Sequence, residues 1–308
     1  MIIYSREEVM ALTPLWKGER FPDGRPKVAD RYLDALYNMS LEELWKPIFM
    51  QGYTNQFLAI NSVNPEFTEK GEVNRKLVGR AVTAAYAPAR PDYLDVTVAE
   101  AKKLGWTGTS NQWVIDNLVD RDVAVIDMYD KIYEGTFVGG NLSTAIKTKT
   151  GNGGAVIWGG IRDLEQVRSI PDIQVYYRGV DPTPIRDFVM TGMNCPVRLG
   201  AGREATICLP GDIVYGCSGG VLFIPAHLVA DVVDDGAKTQ AKDLFGFEMI
   251  SINRFTTAEI DVHVWPKEML DMLVDFIKND PRGEPYRNLD WSREYELAEN
   301  SSDGQSAL

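Results

Sequence analysis

Histidine is scarce in this sequence: the 308 residues include only two, His227 and His263. A zinc site built on three histidines, and any mechanism that needs a histidine cluster, are therefore excluded. Cysteine is almost as rare, since only Cys195, Cys208 and Cys217 are present and none belongs to a C-x-x-C motif. Three cysteines cannot form a closed set of disulfides. We therefore expect reduced thiols and a cytoplasmic protein.

Long apolar runs and an excess of basic residues are also missing. No run approaches the ~20 apolar residues of a transmembrane helix, and residues 1–12 lack the basic region of a secretory signal. The 32 Lys and Arg against 44 Asp and Glu give a formal net charge of -12. This balance argues against nucleic acid or an anionic membrane as the main partner. It does not exclude a small anionic substrate, because the positive potential of a nearby arginine and a helix N-terminus can outweigh the negative potential of distant charges.

The length and the hydrophobic content, 44%, are sufficient for a sizeable core. Changes in pattern along the chain predict three parts. We expect a helical N-terminal extension at 1–76, a core at 77–244, and a C-terminal helical extension at 245–308. The last part turns polar and acidic, and its end is predicted to be a disordered tail.

Apolar periodicity and turn residues predict the order of elements. Strands are expected at 77–86, 123–127, 155–158 and 175–177, and then, as short strands, at 197–199, 205–209, 212–215 and 221–224. Helices are expected at 28–37, 92–104, 113–118, 141–149, 164–168, 226–244 and 265–278. Another helix should follow Ser40 and be limited by Pro47, while 52–71 has little periodicity and should wrap the body of the protein.

The stretch from Gly135 to Asp163 carries most of the chemical information. It predicts a glycine turn at 139–140, a helix with Asn141 as its N-cap, a buried strand, and then Arg162 beside Asp163. Backbone amides at a helix start, reached past glycines, can bind a carboxylate. An arginine can stabilise negative charge while an adjacent aspartate holds a cation. On spacing alone, a structural turn with a surface ion pair explains the pattern equally well.

Other motifs are weaker. The residues 216–220 match G-x-S-x-G, but a further strand follows where the nucleophile elbow of hydrolases needs a helix. The strand after the motif therefore argues against a catalytic triad of Ser218, His263 and Asp261. The glycines between 151 and 160 do not form a dinucleotide-binding G-x-G-x-x-G. Trp158 is predicted to be a core residue rather than a pocket wall.

Seven segments, from about Leu77 to Val233, resemble the RraA-like family: LVGRAVTA, VAVID, FVGGNLSTAI, VIWGGIRD, CPVRLG, LPGDIVYG and GVLFIP. The family includes regulators of ribonuclease activity and class II 4-hydroxy-4-methyl-2-oxoglutarate/4-carboxy-4-hydroxy-2-oxoadipate aldolases. The resemblance implies an α/β fold, a swivelling β/β/α domain, here with extra helices at both termini. It also implies a homotrimer or hexamer with active sites between subunits.

The resemblance further implies a lyase that cleaves or decarboxylates a small 2-keto acid through a pyruvate enolate. In the family's aldolases, the positions of Asp163 and Arg162 hold Mg²⁺ (or Mn²⁺) and contact the keto acid, respectively. Arg162 is thus the expected catalytic residue. The backbone amides expected to hold the substrate carboxylate are those of Gly140, Asn141, Leu142 and Ser143.

The chain departs from the catalytic members at three places. They usually have an acidic residue in the turn at 139–140, many have Asp at the position of Trp158, and their turn at 217–219 is acidic or charged. A glutamate from a neighbouring subunit is also expected, and Glu248 is one candidate. Two alternatives follow: a non-catalytic regulatory or binding protein of the RraA type, and a diverged lyase or hydro-lyase acting on an unknown carboxylate.

Overall fold

The structure, a computed structural model, describes residues 3–63, 76–151 and 154–300. It contains two compact units. The first comprises Met1–Leu41 and Ile48–Ala230, and the second comprises Glu42–Pro47 and Asp231–Leu308. The three-part division at 76 and 244 stays a prediction, because compactness alone does not establish which segments fold independently.

The helices and strands follow one another from end to end of the described chain. The helices are α1 (Arg6–Leu12), α2 (Asp30–Leu36), α3 (Leu41–Met50), α4 (Pro91–Lys103), α5 (Ser110–Asp116), α6 (Gly140–Thr150), α7 (Leu164–Ser169), α8 (Val229–Ser251), α9 (Thr257–Ile260), α10 (Lys267–Asn279) and α11 (Ser292–Asn300). The strands are β1 (Phe57–Leu58), β2 (Asn61–Ser62), β3 (Leu77–Pro88), β4 (Asp122–Asp127), β5 (Thr136–Val138), β6 (Gly154–Ile161), β7 (Gln174–Val180), β8 (Phe188–Met193), β9 (Val197–Leu199), β10 (Thr206–Cys208), β11 (Ile213–Cys217) and β12 (Gly220–Ile224).

Ten of the described strands form one mixed sheet in the first unit. Their order is β1-β12-β11-β3-β4-β6-β7-β2, with β5 paired to β6 and β8 paired to β3. The neighbours β3, β4, β6 and β7 run parallel, and β5 runs parallel to the end of β6. The carboxyl ends of these strands therefore lie at one edge of the sheet, where α/β proteins commonly bind ligands.

Both faces of the sheet are buried, which explains the unbroken apolar runs of its central strands. In β4, Ala124 and Ile126 belong to a core that includes Ile146 of α6. The alternate residues of β4 belong to a second core, which includes Val197 and Leu199 of β9. The hairpin of β9 and β10 covers that second face. A helical layer packs on one face of the large sheet and a small sheet packs on the other. The predicted α/β fold with a β/β/α core is therefore confirmed.

Several predicted elements differ from the observed ones. Helix α3 continues through Pro47 to Met50, so the prediction that this proline limits the helix is wrong. The strands β1, β2, β5 and β8 were not predicted, because they are short or depend on a distant partner strand. Helix α8 is longer than predicted and ends at Ser251. Residues 64–71 of the predicted wrapping segment and the end of the predicted tail, 301–308, lie outside the described residues.

The second unit is helical and has a core of its own. Phe245 of α8 lies at its centre, with ring centroids 5.7 Å from Trp265 and 5.6 Å from Phe276. Such tilted and edge-on aromatic pairs stabilise beyond the area that they bury. None of the described helices is both long and apolar enough to span a membrane.

The N-terminal part of the first unit is joined to the sheet by a buried ion pair. The Nη1 of Arg25 lies 2.8 Å from Oδ1 of Asp122 in β4, and Nη2 lies 3.2 Å from Oδ2. The side chains are 3% and 0% exposed. Asp23 adds a third contact, 2.7 Å from the Nε of Arg25. Each of the three guanidinium nitrogens therefore has an acceptor within the protein.

Candidate active site at the glycine turn

Parallel pairing of β5 with β6 brings the glycine turn beside the Arg-Asp pair. Thr136 is in register with Gly160, and Val138 with Ile161. The amide of Arg162 continues this pairing by donating to the carbonyl of Val138 at 3.0 Å. The residues after each strand are therefore neighbours in space, although 22 positions or more separate them in the sequence.

The first turn of α6 has amides of two kinds. The helix begins at Gly140 with Gly139 as the N-cap, so Asn141, predicted as the cap, is instead the second helical residue. The amide of Gly140 donates to Oδ2 of Asp163 at 3.2 Å, and that of Ser143 donates to the carbonyl of Gly139 at 3.0 Å. Those of Asn141 and Leu142 are the remaining first-turn amides, which a helix leaves without internal partners. Two of the four predicted carboxylate-binding amides are thus engaged within the protein.

The backbone of Asp163 lies in the left-handed region, which aspartate adopts more readily than most residues other than glycine. Asp163 is the N-cap residue of α7, with φ 54° and ψ 41°. An N-cap aspartate usually accepts a hydrogen bond from its own helix, whereas this carboxylate makes no such bond and points to the amide of Gly140.

Arg162 and Asp163 are only loosely paired. The Nε of Arg162 lies 3.7 Å from Oδ2 of Asp163, which is too long for a hydrogen bond. The side chains are 42% and 36% exposed. No residue of the described ranges accepts a hydrogen bond from this guanidinium, so its planar set of donors remains available to a carboxylate or keto group.

The start of α6 and the side chains of Arg162 and Asp163 surround a small pocket of about 100 Å³. Its wall consists of Gly139, Asn141, Leu142, Arg162, Asp163 and Gln166. At about 30 Å³ for each water molecule, it has room for roughly three waters. It can therefore take the carboxylate and keto group of a small acid, while the rest of such a ligand would extend outward.

The two glycines of the turn allow side chains that follow β6, and one on α7, to approach the start of α6. A Cβ on Gly139 would overlap Oδ2 of Asp163 and lie 3.0 Å from Nε of Arg162. A Cβ on Gly140 would overlap Oε1 of Gln166. Sequence reasoning missed Gln166; the available signal was its position three residues after Asp163, on the same face of a helix.

Asp163 is the one carboxylate in the wall of the pocket. Within the described ranges, no group of three His, Cys, Asp or Glu side chains is arranged to hold a metal ion. These donors do not fit a cage made entirely of protein ligands. They do fit Mg²⁺, which is often bound through one or two carboxylates and several waters.

A second carboxylate, Asp127, ends β4 at the same edge of the sheet, in register with Trp158. Burial raises the pKa of Asp127, while its carboxylate accepts a hydrogen bond from the amide of Tyr129 at 2.9 Å. It does not line the pocket. The Asp127 carboxylate therefore stabilises the turn that follows β4 and is not part of the pocket.

The residues of the weaker motifs lie in structural positions. Ser218 lies in the turn between the antiparallel strands β11 and β12, so the predicted absence of a nucleophile elbow is confirmed. Trp158 is 8% exposed within the second core, as predicted, and the Arg178 guanidinium lies 4.3 Å from its ring centroid. Glu248 lies in the second unit, where its Oε2 is 3.1 Å from Nη2 of Arg282.

Solved structures with a similar fold include proteins of quite different description. An uncharacterized protein from Pseudomonas syringae pv. tomato has a TM-score of 0.58 at 18% identity, covering 79% of this chain and 98% of its own. RraAS2 of Streptomyces coelicolor, described as an unusual member of the RNase ES inhibitor RraA protein family, has a TM-score of 0.54 at 20% identity, with coverages of 72% and 97%. A structure described under novel cellulases from gut microbes has a TM-score of 0.56 at 18% identity, with coverages of 74% and 90%. At these identities the likeness shows the fold alone.

Comparison with curated proteins gives no match. The sequence profile of the family described as RraA-like, Aldolase/RraA, matches residues 35–223. The matched region is more than half of the chain and contains the glycine turn, Arg162 and Asp163. The chain therefore belongs to the RraA-like family.

Proposed function

We propose that this protein is a divalent-metal-dependent carbon–carbon lyase that acts on a small 2-keto acid. The observation that carries the proposal is the convergence of three groups on one pocket: the first-turn amides of α6, the Arg162 guanidinium and the Asp163 carboxylate. Each group meets one need of a reaction in which negative charge develops on a keto oxygen next to a carboxylate.

The roles of the residues follow from their chemistry. The amides of Asn141 and Leu142 bind the substrate carboxylate at the positive end of the helix dipole. Arg162 donates to the keto oxygen and orients it, and its charge stabilises the oxygen as it becomes negative. Asp163 would hold Mg²⁺ or Mn²⁺, which would supply further positive charge to stabilise that oxygen. The glycines at 139–140 keep these groups close together.

The bonds that change are those of an aldol cleavage or a decarboxylation. In aldol cleavage the C3–C4 bond breaks and its electrons move into the C2 carbonyl as an enolate. The C4 hydroxyl loses its proton to solvent and becomes a carbonyl. In decarboxylation the bond to the leaving carboxylate breaks and CO₂ departs. A proton from solvent then converts the enolate to pyruvate in the first case, or to the shortened keto acid in the second.

Release of pyruvate tests the proposal. We expect purified protein with MgCl₂ to release pyruvate from 4-hydroxy-4-methyl-2-oxoglutarate or from oxaloacetate, and EDTA to abolish the release. Arg162→Ala protein prepared in the same way is the control, because it reports spontaneous and metal-catalysed background. Absence of turnover of any keto acid, together with absence of metal binding by calorimetry, would contradict the proposal.

The same proposal includes assembly. The half-exposed side chains of Arg162 and Asp163 leave the pocket open on one side, and a neighbouring subunit of a trimer or hexamer would close it. Light scattering should then give a multiple of three chains of 34.4 kDa. A monomer in solution would contradict this part of the proposal.

One observation favours a second candidate, a regulatory protein without catalytic activity. The pocket wall at 139–140 has no acidic side chain, and the neutral Gln166 lies beside Gly140. A regulator should co-purify with a partner protein and should keep that partner when Asp163 is replaced by alanine. Recovery of the homo-oligomer alone would count against this candidate, and turnover of a keto acid would exclude a purely regulatory role.

A further inference from the structure

Gln166 is the pocket residue to which the proposed reaction gives no role. It lies on α7, three residues after Asp163, and completes the wall formed by Arg162 and the start of α6. Its side chain rests directly on Gly140: a Cβ on that glycine would overlap Oε1 of Gln166 and lie 3.3 Å from its Cβ. The carboxamide therefore lies beside the amides that are available to bind a carboxylate.

The carboxamide of Gln166 has no hydrogen-bond partner among the residues that the structure describes, and the backbone carbonyl of this residue accepts from the Ser169 hydroxyl. The charged pocket groups and the backbone amides each have one function in hydrogen bonding: Arg162 and the α6 amides only donate, and an ionised Asp163 only accepts. A carboxamide offers a donor and an acceptor side by side. The wall contains two of them, Asn141 at the start of α6 and Gln166 on α7, and the Gln166 carboxamide is the one whose Oε1 lies against Gly140.

A hydroxyl group on the substrate can use both the donor and the acceptor of the carboxamide. It donates to Oε1 of Gln166 while it accepts from Nε2. A carboxylate would accept from Nε2, but its second oxygen would face Oε1 without a proton between them. We infer that Gln166 is a specificity-determining residue that recognises a hydroxyl on the substrate beyond its keto-acid group, so that the pocket prefers hydroxylated 2-keto acids to unsubstituted ones. This inference rests on the proposed function and selects aldol cleavage over decarboxylation, because the aldol substrate carries such a hydroxyl.

Two substrates and one inhibitor test the inference. 4-Hydroxy-4-methyl-2-oxoglutarate carries the hydroxyl, and oxaloacetate lacks it; 2-oxoglutarate also lacks it and serves as a competitive inhibitor. We expect Gln166→Ala to lower kcat/KM for the hydroxylated substrate by about tenfold, the usual effect of one neutral hydrogen bond. The loss should lie mainly in KM, since the hydrogen bond from Nε2 persists while the hydroxyl loses its proton. The kcat/KM for oxaloacetate and the Ki of 2-oxoglutarate should stay within about twofold of wild type.

Glu165→Ala is the matched control, because Glu165 is an exposed neighbour on α7 that does not line the pocket. It should leave all three constants unchanged. Gln166→Glu, which keeps the shape but loses the donor, should lower kcat/KM for the hydroxylated substrate at least as much as Gln166→Ala.

The possible failures are distinguishable. If Gln166→Ala lowers turnover of both substrates equally, or of neither, this inference is wrong and the proposed lyase function stands. If wild-type protein turns over neither substrate and 2-oxoglutarate does not bind by calorimetry, the proposed function is wrong and the inference falls with it.

Discussion

Two of the Arg-Asp pairs in the first unit differ in almost every physical respect. Arg25 and Asp122 are 3% and 0% exposed and share two contacts of 2.8 and 3.2 Å. Arg162 and Asp163 are 42% and 36% exposed, with 3.7 Å between Nε and Oδ2. The first pair joins segments 97 positions apart in the sequence, and the second consists of adjacent residues.

The difference shows how the same two residue types can serve structure or chemistry. The buried pair has its hydrogen-bonding groups satisfied within the protein, which leaves no site for a ligand. Burial raises the pKa of Asp122 and Arg25 opposes this, while the two carboxylates near Arg25 raise the pKa of its guanidinium despite burial. The exposed pair is held apart by the backbone of Asp163 and keeps its guanidinium donors available.

Breaking the buried pair should have the largest effect. Arg25→Ala leaves the Asp122 carboxylate buried without its cation, and such changes typically cost about 3–5 kcal/mol of stability. Denaturant unfolding measured at pH 7 gives the free energy of unfolding. The control is Arg31→Ala, an exposed arginine of α2, for which we expect a change within about 0.5 kcal/mol. A loss below about 1 kcal/mol for Arg25→Ala would show that the pair is not structural.

Asp212 is a buried carboxylate that, unlike Asp122, has no arginine partner in the described part of the chain. Burial raises the pKa of Asp212 to about 7, against an ordinary value of 3.8, although its carboxylate accepts hydrogen bonds from the amides of Leu209 and Ala226. The folded state therefore holds a proton that the unfolded state releases, and stability falls as the pH rises toward and through 7. Between pH 5 and pH 8 this group should cost about 3 kcal/mol.

Asp212→Asn removes that titration and keeps an acceptor for the two amides. The difference in unfolding free energy between the variant and wild type should increase from pH 5 to pH 8 by that amount, in favour of the variant. Urea unfolding at both values of pH measures it. A difference that does not vary with pH would mean that Asp212 ionises in the folded state as it does in the unfolded state.

Changes at the exposed pair should affect activity rather than stability. Arg162→Lys keeps the charge but loses the planar guanidinium that matches a keto acid. We expect kcat to fall by roughly two orders of magnitude, as for the loss of one transition-state contact. The free energy of unfolding should change by less than about 0.5 kcal/mol. Full activity in this variant would show that Arg162 does not contact the reacting group.

The last prediction concerns the dependence of activity on metal at Asp163. Asp163→Asn keeps the shape of the side chain but removes the charge that would hold Mg²⁺, so the lost activity should be partly restored as MgCl₂ is raised. The metal dependence of Arg162→Lys, by contrast, should match that of wild type. Metal titrations of activity for both variants measure this. Rescue of Arg162→Lys but not of Asp163→Asn would mean that the two roles have been exchanged.

Local pattern was sufficient to predict the central strands and helices. The apolar runs of β4 and β6 indicate strands buried on both faces, and the glycines before α6 mark its start to within one or two residues. The Arg-Asp pair was identified because it follows a buried strand directly. Helix α3 is the exception, since Pro47 is accommodated within it.

By itself, the sequence determined the α/β fold, the family, and which short segments carry polar groups at strand and helix ends. These properties follow from local preferences and from the periodic burial of apolar side chains. Only the tertiary structure decided that Gly140 donates to Asp163 across 23 positions and that Gln166 completes the pocket. The reason is that the short strand β5 acquires its register from β6, and hydrogen bonds between distant segments exist only once that pairing has formed.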